Sequence, residues 1–329
     1  MTSMMRGGQT RERRGLSTDR PYRNRERHGT RKVRMKGKDP SEEMPDEEIV
    51  VGSVRLSVNR GNTSVFIPGE QTYVTPAQGY LETLAYGVAH NLPVLLIGET
   101  GVGKTMAVRY LAWRTNNGLR RVNLNGATTV DEFLGKLLIN EQGTYWVNGV
   151  LVEAMLSGDW ILLDEINATL PEIAFCLHSL LDDDRMVVLM EYDGRIVRPH
   201  PNFRLFASMN PSEEGKYGGT KTLNEALLDR FPVVIRMDYL TEAQEIEAVL
   251  AQSGQTDKET VRKMVKVAQD VRQAIRNEKV FGSFSTRRVI DWARMAMTFG
   301  VRESAAHTVL SKLTAFDAEV VEDVIDNYF

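Results

Sequence analysis

The stretch from Pro93 to Arg114 restricts the fold more sharply than any other. An apolar strand, Pro93–Ile97, runs straight into the octapeptide Gly98-Glu99-Thr100-Gly101-Val102-Gly103-Lys104-Thr105, and a helix-forming stretch, Lys104–Arg114, follows at once. The octapeptide fits G-x-x-x-x-G-K-[ST]. A chain that wraps its backbone N–H groups around a polyanion must pass close to it, which favours residues without a Cβ. A lysine at position 104 would neutralise β- and γ-phosphate oxygens, and the Thr105 hydroxyl would ligate Mg²⁺. The following helix directs its partly positive N-terminus at the same phosphates. The alternative is a glycine-rich strand-to-helix turn with no ligand. The strand before it and the helix after it favour the phosphate loop.

Trp160-Ile161-Leu162-Leu163-Asp164-Glu165 is an apolar strand that ends in two carboxylates. Ligand sites of open α/β sheets lie at that edge. Asp164 would hold Mg²⁺, directly or through its water shell, and Glu165 would polarise an attacking water as general base. Standing alone, the pair would read equally well as solvated loop carboxylates. A further strand, Phe203–Ser208, ends at Met209-Asn210-Pro211. Asn210 is set to hydrogen-bond the water or the γ-phosphate from the side, although Asn before Pro is commonly an ordinary turn residue.

The remaining pattern is that of a layered α/β domain. Short apolar strands fall at Pro93–Ile97, Arg121–Leu124, Trp160–Leu163, Phe203–Ser208 and Pro232–Met237, with helical stretches between them. One helix is expected from about Leu170 to Leu181, opened by a capping box of Thr169 and Glu172. Before the α/β region, Val54, Leu56 and Val58 alternate with Arg55 and Ser57. Thr63–Ile67 follows the turn-forming Asn59-Arg60-Gly61-Asn62, so the two segments read as a hairpin. After Tyr239 the strands stop. Val261, Met264, Val265, Ala268, Val271 and Ile275 recur at helical period, and two or three further helices follow from Thr286 to Asn327. The expected organisation is a tail over 1–48, a β-hairpin segment over 49–75, an α/β nucleotide-binding core over 76–238 and a small helical lid over 239–329.

Charge separates the tail from the rest. Residues 1–40 hold thirteen Lys and Arg against four Asp and Glu, and residues 41–50 then carry five acidic residues. Few aliphatics and no periodicity accompany these charges, so a disordered basic tail is expected. Across the whole chain 42% of residues are hydrophobic and 26% charged, enough to bury a core. No apolar run has the length of a membrane span, and the single cysteine, Cys176, rules out an internal disulfide. A cytoplasmic protein is the expectation. His28, His90, His178, His200 and His307 show no metal-ligand spacing.

In combination these elements resemble the AAA+ ATPases, and within them the MoxR-type branch, with the strongest likeness to the ATPase subunit of cobaltochelatase. The resemblance covers about residues 75–320. Gly98–Thr105 matches Walker A, Ile161–Glu165 matches Walker B, and Asn210 matches sensor 1. Arg195–Ala207 is similar to the chelatase-type pattern, as is Gly218-Gly219-Thr220-Lys221 leading into Asn224–Phe231. The resemblance implies a P-loop AAA+ core, a parallel sheet with flanking helices and two inserted β-hairpins, followed by an all-helical lid. It implies ATP as the nucleotide and a homo-hexameric ring. The arginine of the Asp-Arg-Phe segment, Arg230, would be the finger that reaches a neighbouring subunit's nucleotide. An intrahelical pair with Asp229 or Glu225 is the competing reading.

Ser285-Thr286-Arg287-Arg288 resembles sensor 2 at the start of a lid helix. Arg287 matches the position better than Arg288, and action in cis or in trans is left open. Leu137–Asn148 reads as a hairpin with Tyr145 and Trp146 near its tip, and Met186–Val197 as a second hairpin with an Asp193-Gly194 turn. Tyr145 and Trp146 would either grip a substrate or pack on the core. No segment resembles the von Willebrand-type domain that usually partners this branch, so such a partner would be a separate chain.

The leading functional expectation is a ring-forming, Mg-dependent ATPase that remodels a partner protein, with metal insertion as a narrower version. A nucleic-acid motor or loader that uses the Arg-rich residues 1–40 is the alternative. A nucleotide-gated module that scarcely hydrolyses is a third, and Glu165, Asn210 and Arg230 together argue against it.

Overall fold

Strands that are apolar at every position need cover on both faces, and the central strands of this chain receive it. The computed structural model describes residues 48–75, 79–211 and 223–329, all within the compact unit Asp46–Phe329. The expected basic tail and the Gly218–Lys221 match lie outside the described residues. In chain order the elements begin with β1 (Glu48–Val51), β2 (Val54–Ser57), α1 (Tyr80–Ala89), β3 (Val94–Gly98), α2 (Lys104–Arg114) and β4 (Leu119–Asn123). Next come α3 (Val130–Phe133), β5 (Gly135–Asn140), β6 (Gly143–Asn148), α4 (Val150–Ser157), β7 (Trp160–Asp164) and α5 (Pro171–Leu181). Then follow β8 (Val187–Leu189), β9 (Arg195–Val197), β10 (Leu205–Met209), α6 (Glu225–Leu228) and β11 (Val233–Met237). The helices α7 (Glu242–Ser253), α8 (Lys258–Arg276), α9 (Thr286–Phe299), α10 (Val301–Thr308) and α11 (Ala315–Asp326) complete the chain.

The sheet is parallel, with order β11-β3-β10-β7-β4. Alternate residues supply two separate cores, as the strand period requires. Leu95, Ile97, Ile161, Leu163, Leu205 and Ala207 pack on one face, with α4 and α5. Val94, Leu96, Trp160, Leu162 and Phe206 pack on the other, with α1 and α2. A third cluster, centred on the fully buried Trp292, joins α7 to α11. The fold is therefore the expected α/β core followed by helices. Among the described residues no helix is long and apolar enough to cross a membrane.

Three local expectations are corrected. The N-terminal hairpin pairs β1 with β2, in the register Val51↔Val54, and Thr63–Ile67 forms no strand. Gly52, at φ 60°, closes a two-residue turn between them. Residues 59–67 instead bond to the α2–β4 connection: the Asn59 N–H donates to Thr115 O (2.9 Å), and the Leu119 N–H donates to Phe66 O (2.9 Å). The capping box at Thr169 does not form. Pro171 takes the first helical position, where its missing N–H costs nothing, and this makes Leu170 the N-cap. The Thr169 hydroxyl is left buried, with no protein partner.

The third correction concerns the first inserted hairpin, β5–β6. Its register sets Trp146 opposite Leu137 and Tyr145 opposite Leu138, well back from the Glu141-Gln142 tip. The Trp146 ring stacks on Tyr192, with centroids 5.1 Å apart and planes 1° apart. Packing therefore takes Trp146, while Tyr145 stays 44% exposed. The second hairpin, β8–β9, turns through Asp193 and Gly194, both at positive φ.

Candidate functional site

The sheet order decides what meets what. β10 lies between β3 and β7, so the loop after β3, the Asn210 that follows β10 and the carboxylate end of β7 open on one edge. In the loop, Gly101 (φ 83°) and Gly103 (φ 101°) hold backbone conformations that side chains disfavour. A Cβ on Gly101 would also lie 2.3 Å from the Ser285 Cβ. Gly103 is the N-cap of α2, and no side chain caps that helix. Its first-turn N–H groups are thus free to take an anion.

Lys104 Nζ donates to Gly98 O, to Glu99 O (3.0 Å) and to Asn210 Oδ1 (3.2 Å). Burial pulls this ammonium down to about 8, against the opposing pull of Asp164, Glu99 and Glu165. Asp164, only 4% exposed, accepts from Ser208 Oγ (2.5 Å) and from Arg121 Nε. Thr105 Oγ1 lies 3.5 Å from each Asp164 carboxylate oxygen. A hydroxyl and a carboxylate are hard oxygen donors, and one carboxylate together with substrate phosphates is the usual protein share of a magnesium site. The residues therefore fit Mg²⁺, which Thr105 and Asp164 would hold. Glu165 is exposed at the cavity rim and has φ 58°. A non-glycine residue there stores about 1–3 kcal/mol of strain, a cost seen chiefly at functional sites.

These residues line a cavity of about 380 Å³. Its walls include Gly101, Lys104, Thr105, Asp164, Glu165 and Asn210 from the sheet edge, and Arg287 from α9. Of the sequence-derived site residues, Gly98 and Glu99 sit just behind this lining as acceptors for Lys104, while Thr100, Val102 and Gly103 belong to it. Arg230 does not line the cavity. Its Nε donates to Asp182 Oδ1 (2.6 Å) and its Nη1 to Ala226 O (2.5 Å). Neither Asp229 nor Glu225, the intrahelical partners weighed for it, takes the guanidinium.

Arg121 and Ser208 were not legible as site residues. Each had a faint signal in strand period: Arg121 shares a strand face with Asn123, and Ser208 stands two before Asn210. The register Asn123↔Asp164 brings β4 to the carboxylate. The Arg121 guanidinium thus sets a positive charge directly against the Asp164 carboxylate.

Two outcomes follow from Lys104. Lys104→Ala should lower ATP turnover about 10²–10³-fold, the usual loss when one charge-stabilising donor is removed. A polyphosphate favours the charged ammonium, so ATP binding above pH 8 should take up a proton. The uptake should fade below pH 7, where Lys104 is already charged, and vanish in Lys104→Ala. Calorimetry in buffers of different ionisation enthalpy measures it.

Residues 93–231 match the family model described as AAA domain (dynein-related subfamily), and residues 245–328 match the CbbQ/NirQ/NorQ C-terminal model. The aerobic cobaltochelatase subunit CobS of Sinorhizobium sp is 33% identical over 65% of this chain and 68% of its own length. The denitrification regulatory protein NirQ of Stutzerimonas stutzeri is 32% identical over 72% of this chain and 84% of its own length. Midasin of Dictyostelium discoideum is 31% identical over 86% of this chain, which spans only 5% of that much longer protein.

Proposed function

This chain belongs to the MoxR-type AAA+ ATPases and is an ATP hydrolase, and from that premise we propose that it works as a closed ring of identical chains that uses Mg-ATP turnover to remodel a partner protein. Six subunits is the ring size the family resemblance suggests. In the proposed cycle, Lys104 and the loop N–H groups bind the phosphates, and Thr105 and Asp164 would hold Mg²⁺, which would supply positive charge beside the transferred phosphoryl group. Glu165 takes the proton of the attacking water, and Asn210 orients it. The proposal rests chiefly on one observation: the cavity gathers Lys104, Thr105, Asp164, Glu165 and Asn210, while Arg230 stands outside its lining. A finger absent from its own chain's cavity would come from a head-to-tail neighbour, and such contacts close into a ring when the rotation between neighbours closes.

The partner is proposed to be a separate chain, with a von Willebrand-type domain as one form. Metal insertion is the narrower version, by analogy with the cobaltochelatase subunit. The test is light scattering of Glu165→Gln protein in Mg-ATP, followed by affinity capture from the source cell. A closed assembly that retains one companion protein is expected. A single-chain mass at high concentration in Mg-ATP would sink the ring.

A further inference from the structure

The buried side chains of the helical region hold an ion pair that the hydrolytic cycle leaves unexplained. Glu245, on α7, has no exposed surface, and Arg272, on α8, is 6% exposed. Arg272 Nη1 and Nη2 donate to the two Glu245 oxygens at 2.7 and 2.6 Å. Burying two charges costs several kcal/mol per ion, and well-packed apolar pairs often serve stability as well or better. What the pair contributes is therefore to be sought in what it holds.

It holds the run just ahead of Arg287. Arg272 Nε donates to Phe284 O (2.7 Å), and Thr286 Oγ1 donates to Glu245 Oε1 (2.7 Å). Ser285, between them, caps α9 by accepting the Arg288 N–H (3.3 Å) and presses on Gly101 of the phosphate loop. From the other side, the Arg272 guanidinium lies 3.9 Å over the ring of Tyr239, whose hydroxyl donates to Thr100 O (3.3 Å). Thr100 and Gly101 are thus each in contact with this cluster or with the segment it fixes, and Arg287 leaves the same segment to line the cavity.

We propose that Glu245 and Arg272 are positioning residues for the nucleotide site, which lock Phe284–Thr286 against the phosphate loop and thereby deliver Arg287 to the bound nucleotide. The inference deepens, and rests on, the nucleotide reading of that cavity. A buried, bidentate pair is directional, so it fixes the approach of α9 where an apolar contact would let it slide.

The test uses the full chain with Glu245→Leu and Arg272→Met together, titrated with a fluorescent, non-hydrolysable ATP analogue. The expected result is a folded chain, with a somewhat lower melting temperature because Phe284 O and the Thr286 hydroxyl lose their partners, and with a dissociation constant raised about tenfold. Adding Arg287→Ala to the double variant should cost less than Arg287→Ala costs alone. A folded double variant with the wild-type constant overturns the proposal, and so does full additivity with Arg287→Ala. If the double variant does not fold, Thr286→Val removes one buried hydroxyl from the same cluster. It should weaken binding about fivefold, the worth of one net hydrogen bond, and an unchanged constant overturns the proposal. A wild-type chain that takes up no analogue would instead sink the nucleotide reading itself, so the two failures are distinguishable.

Discussion

Arg230→Ala should lower kcat for ATP about 10³–10⁵-fold, the range of an arginine finger, while ATP still binds. In its own chain Arg230 is tied to Asp182, with side chains 30% and 47% exposed. A surface pair of that kind contributes about 0–1 kcal/mol, too little for its loss to damage the fold. A large fall in turnover with an unchanged melting temperature therefore separates finger from strut. Mixing decides whether the finger acts across a boundary. Arg230→Ala chains keep an intact phosphate loop, and Lys104→Ala chains keep an intact Arg230. Each is expected to be inactive alone, and mixed rings should recover part of the activity. No recovery in verified mixed rings would rule out action in trans.

Glu165→Gln should leave ATP affinity near that of the wild type and reduce kcat about 10²–10⁴-fold, the usual worth of a general base. The amide has the shape of the carboxylate but no capacity to accept the water's proton. Asp164, which takes Ser208 and Arg121 as partners, is untouched by the change. Single-turnover chemistry, measured apart from product release, is the proper readout, because a slow release step can hide the loss. Wild-type hydrolysis by Glu165→Gln would move the base to another residue.

Much of the site was legible because its requirements are local. Gly101 and Gly103 occupy positive-φ positions that the G-x-x-x-x-G-K-[ST] pattern demands, and the strand ahead and helix behind follow from adjacent residues. Asp164 and Glu165 end an apolar run, so their place at the sheet edge could be read from the same six residues. The α8 stripe was equally legible, since Val261, Met264, Val265 and Ala268 recur at the period of the helix they form. Local rules also misled. Thr169 and Glu172 have the capping-box spacing, yet the fixed geometry of Pro171 outweighs a hydroxyl cap. The alternation in Val54–Val58 marks a true strand, but its partner lies on the N-terminal side, because Gly52 and Ser53 make the tighter turn.

By itself the sequence determined the phosphate loop, the carboxylate pair, the alternation of strands and helices and the helical end, each of which depends on residues within a turn or a strand of one another. Only the tertiary structure decided that β10 separates β3 from β7, that Arg121 meets Asp164, that Trp146 stacks on Tyr192, that Arg230 rests on Asp182 and that Glu245 joins three helices. The physical reason is that these contacts join residues tens of positions apart. Their partners are set by strand order and helix packing, which no local propensity encodes.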